Sequence, residues 1–293
     1  MMTAKNGKAA WLPEIFPSAI EFTAPTIMIK LVGTIDPEGN PHVTLIACNK
    51  AVSSDTIKWG QFTLGTSKRN VLDRPKQGAF YMTTKAPYKF MQAKMDFDRC
   101  SVEGADAADF NAEVLFRYNT YVRIYKVYFN KVKAVSPITD LSPLGILNGA
   151  IVDAIGKNRM KTGIEEQRLP LLGVSLFNGA LNAKFACWLD PADGYPVIVP
   201  CFQARAIERK RIVFPMTQFK QDLAALETGA KTAFFALDTE LRSILVKGTF
   251  LGFKKASGIS FGQVDIETVY NTMPPLPGVV YPALEIRPKV EQF

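Results

Sequence analysis

The residues best suited to chemistry in this 293-residue chain lie in one run, Thr63-Leu-Gly-Thr-Ser-Lys-Arg-Asn-Val-Leu-Asp-Arg-Pro. Thr66 or Ser67 is spaced to cap a short helix over residues 68–74, with Asn70 in its first turn and Pro75 stopping it. A helix start presents free N–H groups and the positive end of the helix dipole, which together favour a phosphate. Lys68 and Arg69 at that point would add charge-assisted hydrogen bonds, the arginine to two oxygens at once. The same spacing also describes a capped surface helix with two solvated cations, and the residues alone leave both open.

Other catalytic sets are largely excluded. The one histidine, His42, rules out a two-histidine metal site or an HExxH helix. A Ser-His-Asp triad would have to use His42, which lies in a strand pattern beside Pro41, and no nucleophile elbow occurs. His42 is therefore read either as a ligand contact or as a semi-buried strand residue. There is no GxGxxG or Walker pattern, and Cys48, Cys100, Cys187 and Cys201 have no zinc spacing. The acidic pairs Asp96/Asp98 and Glu165/Glu166 read as solvated. No metal is expected, and no residue stands out as acid, base or nucleophile.

A net charge of +8 suggests an anionic partner but does not choose one. Nucleic acid would require a dense basic stripe with interleaved aromatics, whereas these cations are scattered, as a phosphate-bearing small molecule or a generally basic surface allows. No signal-peptide pattern opens the chain, and its most apolar stretch, Leu141 to Ile155, is broken by Pro143, Gly145, Asn148, Gly149 and Asp153. With four free thiols, the expectation is a cytoplasmic protein without membrane or nucleic-acid partners.

The elements that must position these residues are mostly strands. Runs such as Thr26-Ile-Met-Ile-Lys-Leu-Val, His42-Val-Thr-Leu-Ile-Ala and Val122-Arg-Ile-Tyr-Lys-Val-Tyr are short, rich in β-branched and aromatic residues, and bounded by turns. Helices are expected only at 105–118, 146–157, 219–227 and the short 68–74.

The chain also repeats itself. Val32-Gly-Thr-Ile-Asp-Pro-Glu-Gly-Asn-Pro-His-Val-Thr returns as Ala186-Cys-Trp-Leu-Asp-Pro-Ala-Asp-Gly-Tyr-Pro-Val-Ile, a strand, an Asp-Pro turn and a second strand. Leu12-Pro13 precedes the first copy and Leu169-Pro170 the second. Ser67-Lys-Arg-Asn-Val then matches Phe219-Lys-Gln-Asp-Leu, and Tyr88-Lys-Phe-Met-Gln-Ala-Lys matches Leu241-Arg-Ser-Ile-Leu-Val-Lys. The reading is a mainly β protein of two tandem, Greek-key-like split β-barrels, residues 1–145 and 146–293, with a linker or helical region at 137–170 that is a tether or a lid.

The order strand, Asp-Pro-x-Gly-x-Pro-His-Val-Thr, strand, Ser67-Lys-Arg-Asn-x-x-x-x-Pro, strand resembles the pyridoxamine 5′-phosphate oxidase-like, FMN-binding split-barrel superfamily. The first half matches over residues 12–135 and the second more weakly over 169–275. In that family the basic segment grips the FMN phosphate and the flavin lies between two barrels of a dimer.

The resemblance implies FMN as cofactor, an internal pseudo-dimer working as a monomer or pairing into a homodimer, and flavin-dependent oxidoreductase chemistry with a small molecule or electron-transfer partner. It assigns Lys68, Arg69, Ser67, Thr66 and Asn70 to the phosphate, and Thr44 and Gln61 to the ribityl chain or ring. The family's Lys-x-Arg-Asn is altered here, with Ser67 at the lysine position. Its Arg-Gln-Val-Arg is absent from 90–94 and 242–246, against pyridoxamine phosphate oxidase activity itself. The second half, with Asp222 where the first has Asn70, is expected to supply only a wall, through Trp188 or Phe202 if these are not core. A split barrel that has lost flavin and serves as a binding or scaffold protein, or one using a deazaflavin, are the alternatives. Haem fits less well with one histidine.

Overall fold

A computed structural model describes residues 11–62, 65–102, 104–113, 123–141, 160–217, 219–256, 258–273 and 278–282. The first sheet comprises β1 (Met28–Ile35), β2 (Pro41–Leu45), β3 (Asn49–Ala51), β4 (Thr56–Gln61), β5 (Lys76–Thr83), β6 (Lys89–Val102), β7 (Lys126–Val135) and β8 (Thr139–Asp140). The second comprises β9 (Ala183–Leu189), β10 (Pro196–Pro200), β11 (Arg205–Ile207), β12 (Arg211–Pro215), β13 (Lys231–Leu237), β14 (Ser243–Ala256), β15 (Ile259–Asn271) and β16 (Gly278–Tyr281). Their orders are β2-β1-β5-β6-β7-β4-β3 and β10-β9-β13-β14-β15-β12-β11. Adding eight to each number of the first order produces the second, so the repeated sequence is a repeated topology. The sheets differ in their last strands: β8 pairs with β6, and β16 with β15.

Each sheet curls into a split barrel, and the two pack as an internal pseudo-dimer. The alternation of side chains along a strand explains why the central strands are apolar on both faces. In β1, Met28 and Val32 point into the first barrel while Leu31 faces the second half. In β5, Ala79 and Tyr81 point inward while Phe80 and Met82 face out. The second half answers with Trp188 and Phe234 inside its own barrel, and Phe185, Ile198 and Phe235 in the shared layer. Phe80 meets Phe185 across that layer at 5.2 Å between ring centroids. Burying one face in a barrel and the other against a partner sheet is what a near-continuous apolar strand requires.

Glycine permits a close approach of the two halves. A Cβ at Gly78 would lie 2.1 Å from the Pro196 carbonyl oxygen of the second half.

The helices are α1 (Pro17–Thr23), α2 (Thr66–Asp73), α3 (Ala105–Ala112), α4 (Leu171–Asn178) and α5 (Lys220–Leu223). Lys30 and Lys184 each send a buried ammonium to the end of the helix that opens their half. Lys30 donates to Thr23 O at 2.7 Å, and Lys184 to Gly179 O at 2.8 Å. A cation there satisfies carbonyls that the helix leaves open.

Several expectations need correction. Neither Thr66 nor Ser67 caps α2. Gly65, in extended backbone, is the N-cap and makes no side-chain cap bond, while Thr66 is already helical. The expected helix at 219–227 shrinks to the four residues of α5: Phe219, at a left-handed φ of 50°, stands before it, and past Leu223 the chain goes on in tighter turns, Ala225 N–H donating to Asp222 O and Leu226 N–H to Leu223 O. The helix expected at 105–118 stops at Ala112.

The repeat also opens in a different register from Leu12 against Leu169. Ile15 N–H donates to Ser54 O, and Leu169 N–H donates to Arg209 O. These bonds are equivalent under the repeat, so Ile15 matches Leu169. The acidic pairs are partnered in part: Asp96 accepts from Tyr195 of the other half at 2.8 Å, and Glu166 pairs with Arg168 and Lys210. The expected helix at 146–157 and the division at 145 lie outside the described residues.

Candidate functional site

The repeat's two Asp-Pro turns hold the halves together. Gly33, three residues before Asp36, pairs with Gly78, which pairs with Lys94 on β6. Cys187, three before Asp190, pairs with Ala233, which pairs with Lys247 on β14. Lys94 and Lys247 are therefore equivalent, as are Asp36 and Asp190. Each aspartate takes the other half's lysine: Asp36 with Lys247 at 2.7 Å and Asp190 with Lys94 at 2.5 Å.

The two copies differ in what else they engage. Lys94 is also bound by Asp193 at 2.7 Å and lies 4.8 Å from the Trp11 ring centroid. Lys247 has Asp36 as its single carboxylate among the described residues and lines a cavity of about 350 Å³ between the halves. On the first-half side this cavity is bounded by Asp36, Glu38 and His42 of the β1–β2 hairpin, with Thr66 of α2 at one corner. On the other side it is bounded by Lys247, Glu267 and Tyr270, with Val279 and Pro282.

His42 is 1% exposed, and its ring meets Tyr270 edge-on at 5.0 Å. Burial first, and then the positive charges of Lys247 and Lys68, hold its pKa well below the ordinary histidine value, so it is neutral at neutral pH. Its Nδ1 is buried without a hydrogen-bond partner among the described residues. Tyr270 bridges the halves a second time, its hydroxyl 3.0 Å from Thr66 Oγ1.

Behind Thr66 lies the basic segment. The Ser67 hydroxyl is 2.6 Å from Thr44 Oγ1. Lys68 is 9% exposed, its pKa lowered by burial, and no carboxylate or hydrogen-bond acceptor among the described residues engages its ammonium. A largely desolvated cation without a partner carries a cost, and an anion is the group that would offset it. The residues present thus fit a phosphate at the first turn of α2. Thr66, Ser67, Lys68 and Thr44 come together there.

The remaining expected residues face elsewhere. Arg69 is exposed. Asn70 is buried, its amide donating to Thr34 Oγ1 at 3.0 Å and tying α2 to β1. Gln61 is committed to two tyrosines, donating to Tyr125 Oη and accepting from Tyr128 Oη, each at 2.8 Å.

At the equivalent place in the second half, Lys220 is exposed and α5 is a single turn. Phe219, matching Ser67, packs on Phe90 of the first half at 5.5 Å. Trp188 lies in the second barrel's core and Phe202 in the shared layer, as the core reading had them. Lys247, Tyr270 and Glu38 were not singled out from sequence. The one signal for Lys247 was its place in the repeat, opposite Lys94.

The fold and cavity define a fused pair of split barrels with a polar groove built from both halves. Several solved structures are similar to part of the chain, each over somewhat less than half of it. An FMN-binding protein from Syntrophomonas wolfei is 13% identical over 42% of this chain and 86% of its own, with a TM-score of 0.36. A Lactobacillus delbrueckii protein, provisionally described as a pyridoxamine 5′-phosphate oxidase, is 13% identical over 44% of this chain and 98% of its own, with a TM-score of 0.34. An F420 reductase is 17% identical over 43% of this chain and 98% of its own, with a TM-score of 0.32. No family model matches the sequence, and no curated protein does. None of the described helices is long and apolar enough to cross a membrane.

Proposed function

We propose that this chain binds a flavin-type cofactor carrying a phosphate, FMN in the first instance, at the start of α2, and works as an oxidoreductase. The observation that carries the reading is Lys68, a residue only 9% exposed whose ammonium has no partner among the described residues. Lys68 would neutralise the phosphate, and the Thr66 and Ser67 hydroxyls would turn from Tyr270 and Thr44 to its oxygens. Arg69, on the exposed side of α2, would close over the phosphate from solvent.

A bound flavin supplies two-electron chemistry by taking up and passing on a hydride. The protein's part is to hold it, orient it and limit its contact with water. A single such site is proposed, because the second half offers an exposed Lys220 and the Phe219 ring in place of a buried cation and hydroxyl. Both walls belong to one chain, so a monomer suffices, with the halves divided near residue 145.

The test is direct. The protein as purified, or after incubation with FMN, is expected to show flavin absorbance that bleaches with dithionite, and mass spectrometry of the released cofactor names it. Lys68→Met should weaken FMN binding roughly ten- to a hundredfold, the size of a lost hydrogen bond to a charged group. Lys220→Met should leave it unchanged. A colourless protein that takes up no FMN overturns the reading, and a released deazaflavin replaces the cofactor named.

A further inference from the structure

The cavity between the halves lies where one of two equivalent latches is left unmade. Around Lys94 the latch is complete. Asp190 and Asp193 both hold Lys94, Lys76 donates to the Asp193 carbonyl and stands 5.0 Å from the Tyr195 ring centroid, and the Tyr195 hydroxyl donates to Asp96. Strand pairing identifies the counterparts. Lys76 pairs with Asp96 as Lys231 pairs with Thr249, so Lys231 stands in the place of Lys76 and Thr249 in that of Asp96. Glu38 stands in the place of Asp193, each followed by a glycine of positive φ, and Asn40 in that of Tyr195, each before a proline. Among the described residues the second copy makes one of these contacts, Asp36 with Lys247 at 2.7 Å. Glu38 lines the cavity with Lys247 but has no partner among the described residues. Asn40 bonds Asp36 within its own turn.

The difference traces to one position. Lys94 pairs with Ala134 and Lys247 with Thr268, and the residues just before these partners, each in a bulge, are Lys133 and Glu267. Lys133 pairs with Asp96 at 3.4 Å, which leaves Lys76 to cross to the other half. Glu267 instead takes Lys231 at 2.8 Å and accepts from the Thr249 hydroxyl, so that ammonium stays with its own half. We propose that the β1–β2 turn is a flap poised to close over the cavity, Glu38 moving onto Lys247 and Lys231 as Asp193 engages Lys94 and Lys76, and that Glu267 holds it open. Glu38 has one methylene more than Asp193, which offsets a turn one residue shorter. Lys94 shows that a lysine in this position holds two carboxylates at once. The flap gates the groove whether or not a flavin binds at α2.

His42 stands beside Pro41 at the foot of the flap and is the chain's only histidine, so its imidazole provides one unambiguous NMR signal. The full chain, histidine-labelled and freed of any bound cofactor, is compared as parent, Glu38→Gln, Glu267→Gln and the double variant. Both residues are exposed, so all four should fold. Glu267→Gln is expected to move the His42 signal, and adding Glu38→Gln to return it toward the parent position. In urea melts, Glu38→Gln should leave the parent's folding equilibrium unchanged and lower that of Glu267→Gln about threefold, the worth of a solvent-accessible ion pair. A His42 signal unmoved by Glu267→Gln, a movement that Glu38→Gln does not reverse, or a Glu38→Gln cost as large in the parent as in Glu267→Gln overturns the proposal. FMN uptake is read separately by absorbance, so either reading can fail without the other.

Discussion

Asp36 and Lys247 stand 211 residues apart in sequence and 2.7 Å apart in space, joining the turn of one half to a strand of the other. Exchanging the halves turns this pair into Asp190 with Lys94. The turn that makes the duplication visible in the sequence is thus also the device that docks the duplicated halves. Both side chains are largely buried, so removing either leaves a charge without its partner. Asp36→Ala and Lys247→Ala are each expected to cost about 3 kcal/mol of stability. The double variant should cost much less than their sum, a coupling that a denaturant-based mutant cycle measures directly.

At Gly78 the backbones of the two halves come close together. A methyl group there would overlap the Pro196 carbonyl oxygen at 2.1 Å, and backbone cannot swing aside as a side-chain tip can. Gly78→Ala should destabilise the chain by about 1–3 kcal/mol, the usual cost of overpacking. Gly33→Ala, which would stand 3.0 Å from the Pro196 Cβ, should cost less. Thermal melts of the two variants check the order.

Lys30 sets a pH dependence with a definite sign. Burial lowers its pKa to about 8, with the Glu113 charge opposing the shift. Between about pH 8 and the ordinary lysine value of about 10.4, the unfolded chain holds a proton that the folded chain has released. The unfolded state then binds more protons, so this group's contribution to stability rises with pH across that window. Below pH 8 the cost of burying the charge is fully present. Lys30→Met is expected to remove the rise, to be read from denaturation midpoints on either side of the window.

The four cysteines should react very unequally. Cys48 is buried and pushed up to about 12, Cys187 is raised by burial, and Cys201 is buried, while Cys100 is exposed. Reactivity requires thiolate and access together. Native protein should titrate one fast thiol with a disulfide reagent, lost in Cys100→Ser, and denaturation should release the other three.

Much of the architecture was legible because it is written in local chemistry. Asp-Pro-Gly turns and β-branched runs specify hairpins wherever they occur, and their recurrence exposed the repeat. Reading the helix start was less secure. Thr66 and Ser67 are good caps by residue type, yet the Ser67 hydroxyl stands against Thr44 and that of Thr66 against Tyr270, leaving Gly65 as cap. A side chain that can bond locally is claimed instead by a strand, or by the other half, when folding brings a better-placed partner.

By itself, then, the sequence determined the class of fold, its duplication, and the inequality of the two basic segments, because turn chemistry, strand periodicity and residue identity are local. Tertiary structure alone decided which cation is buried and which is solvated, although Lys68 and Arg69 are neighbours in the chain. It also decided that His42 shares a cavity with Tyr270 and Lys247 from the far half. Burial and long-range pairing depend on which faces two sheets turn toward each other, and no window of sequence contains both faces at once.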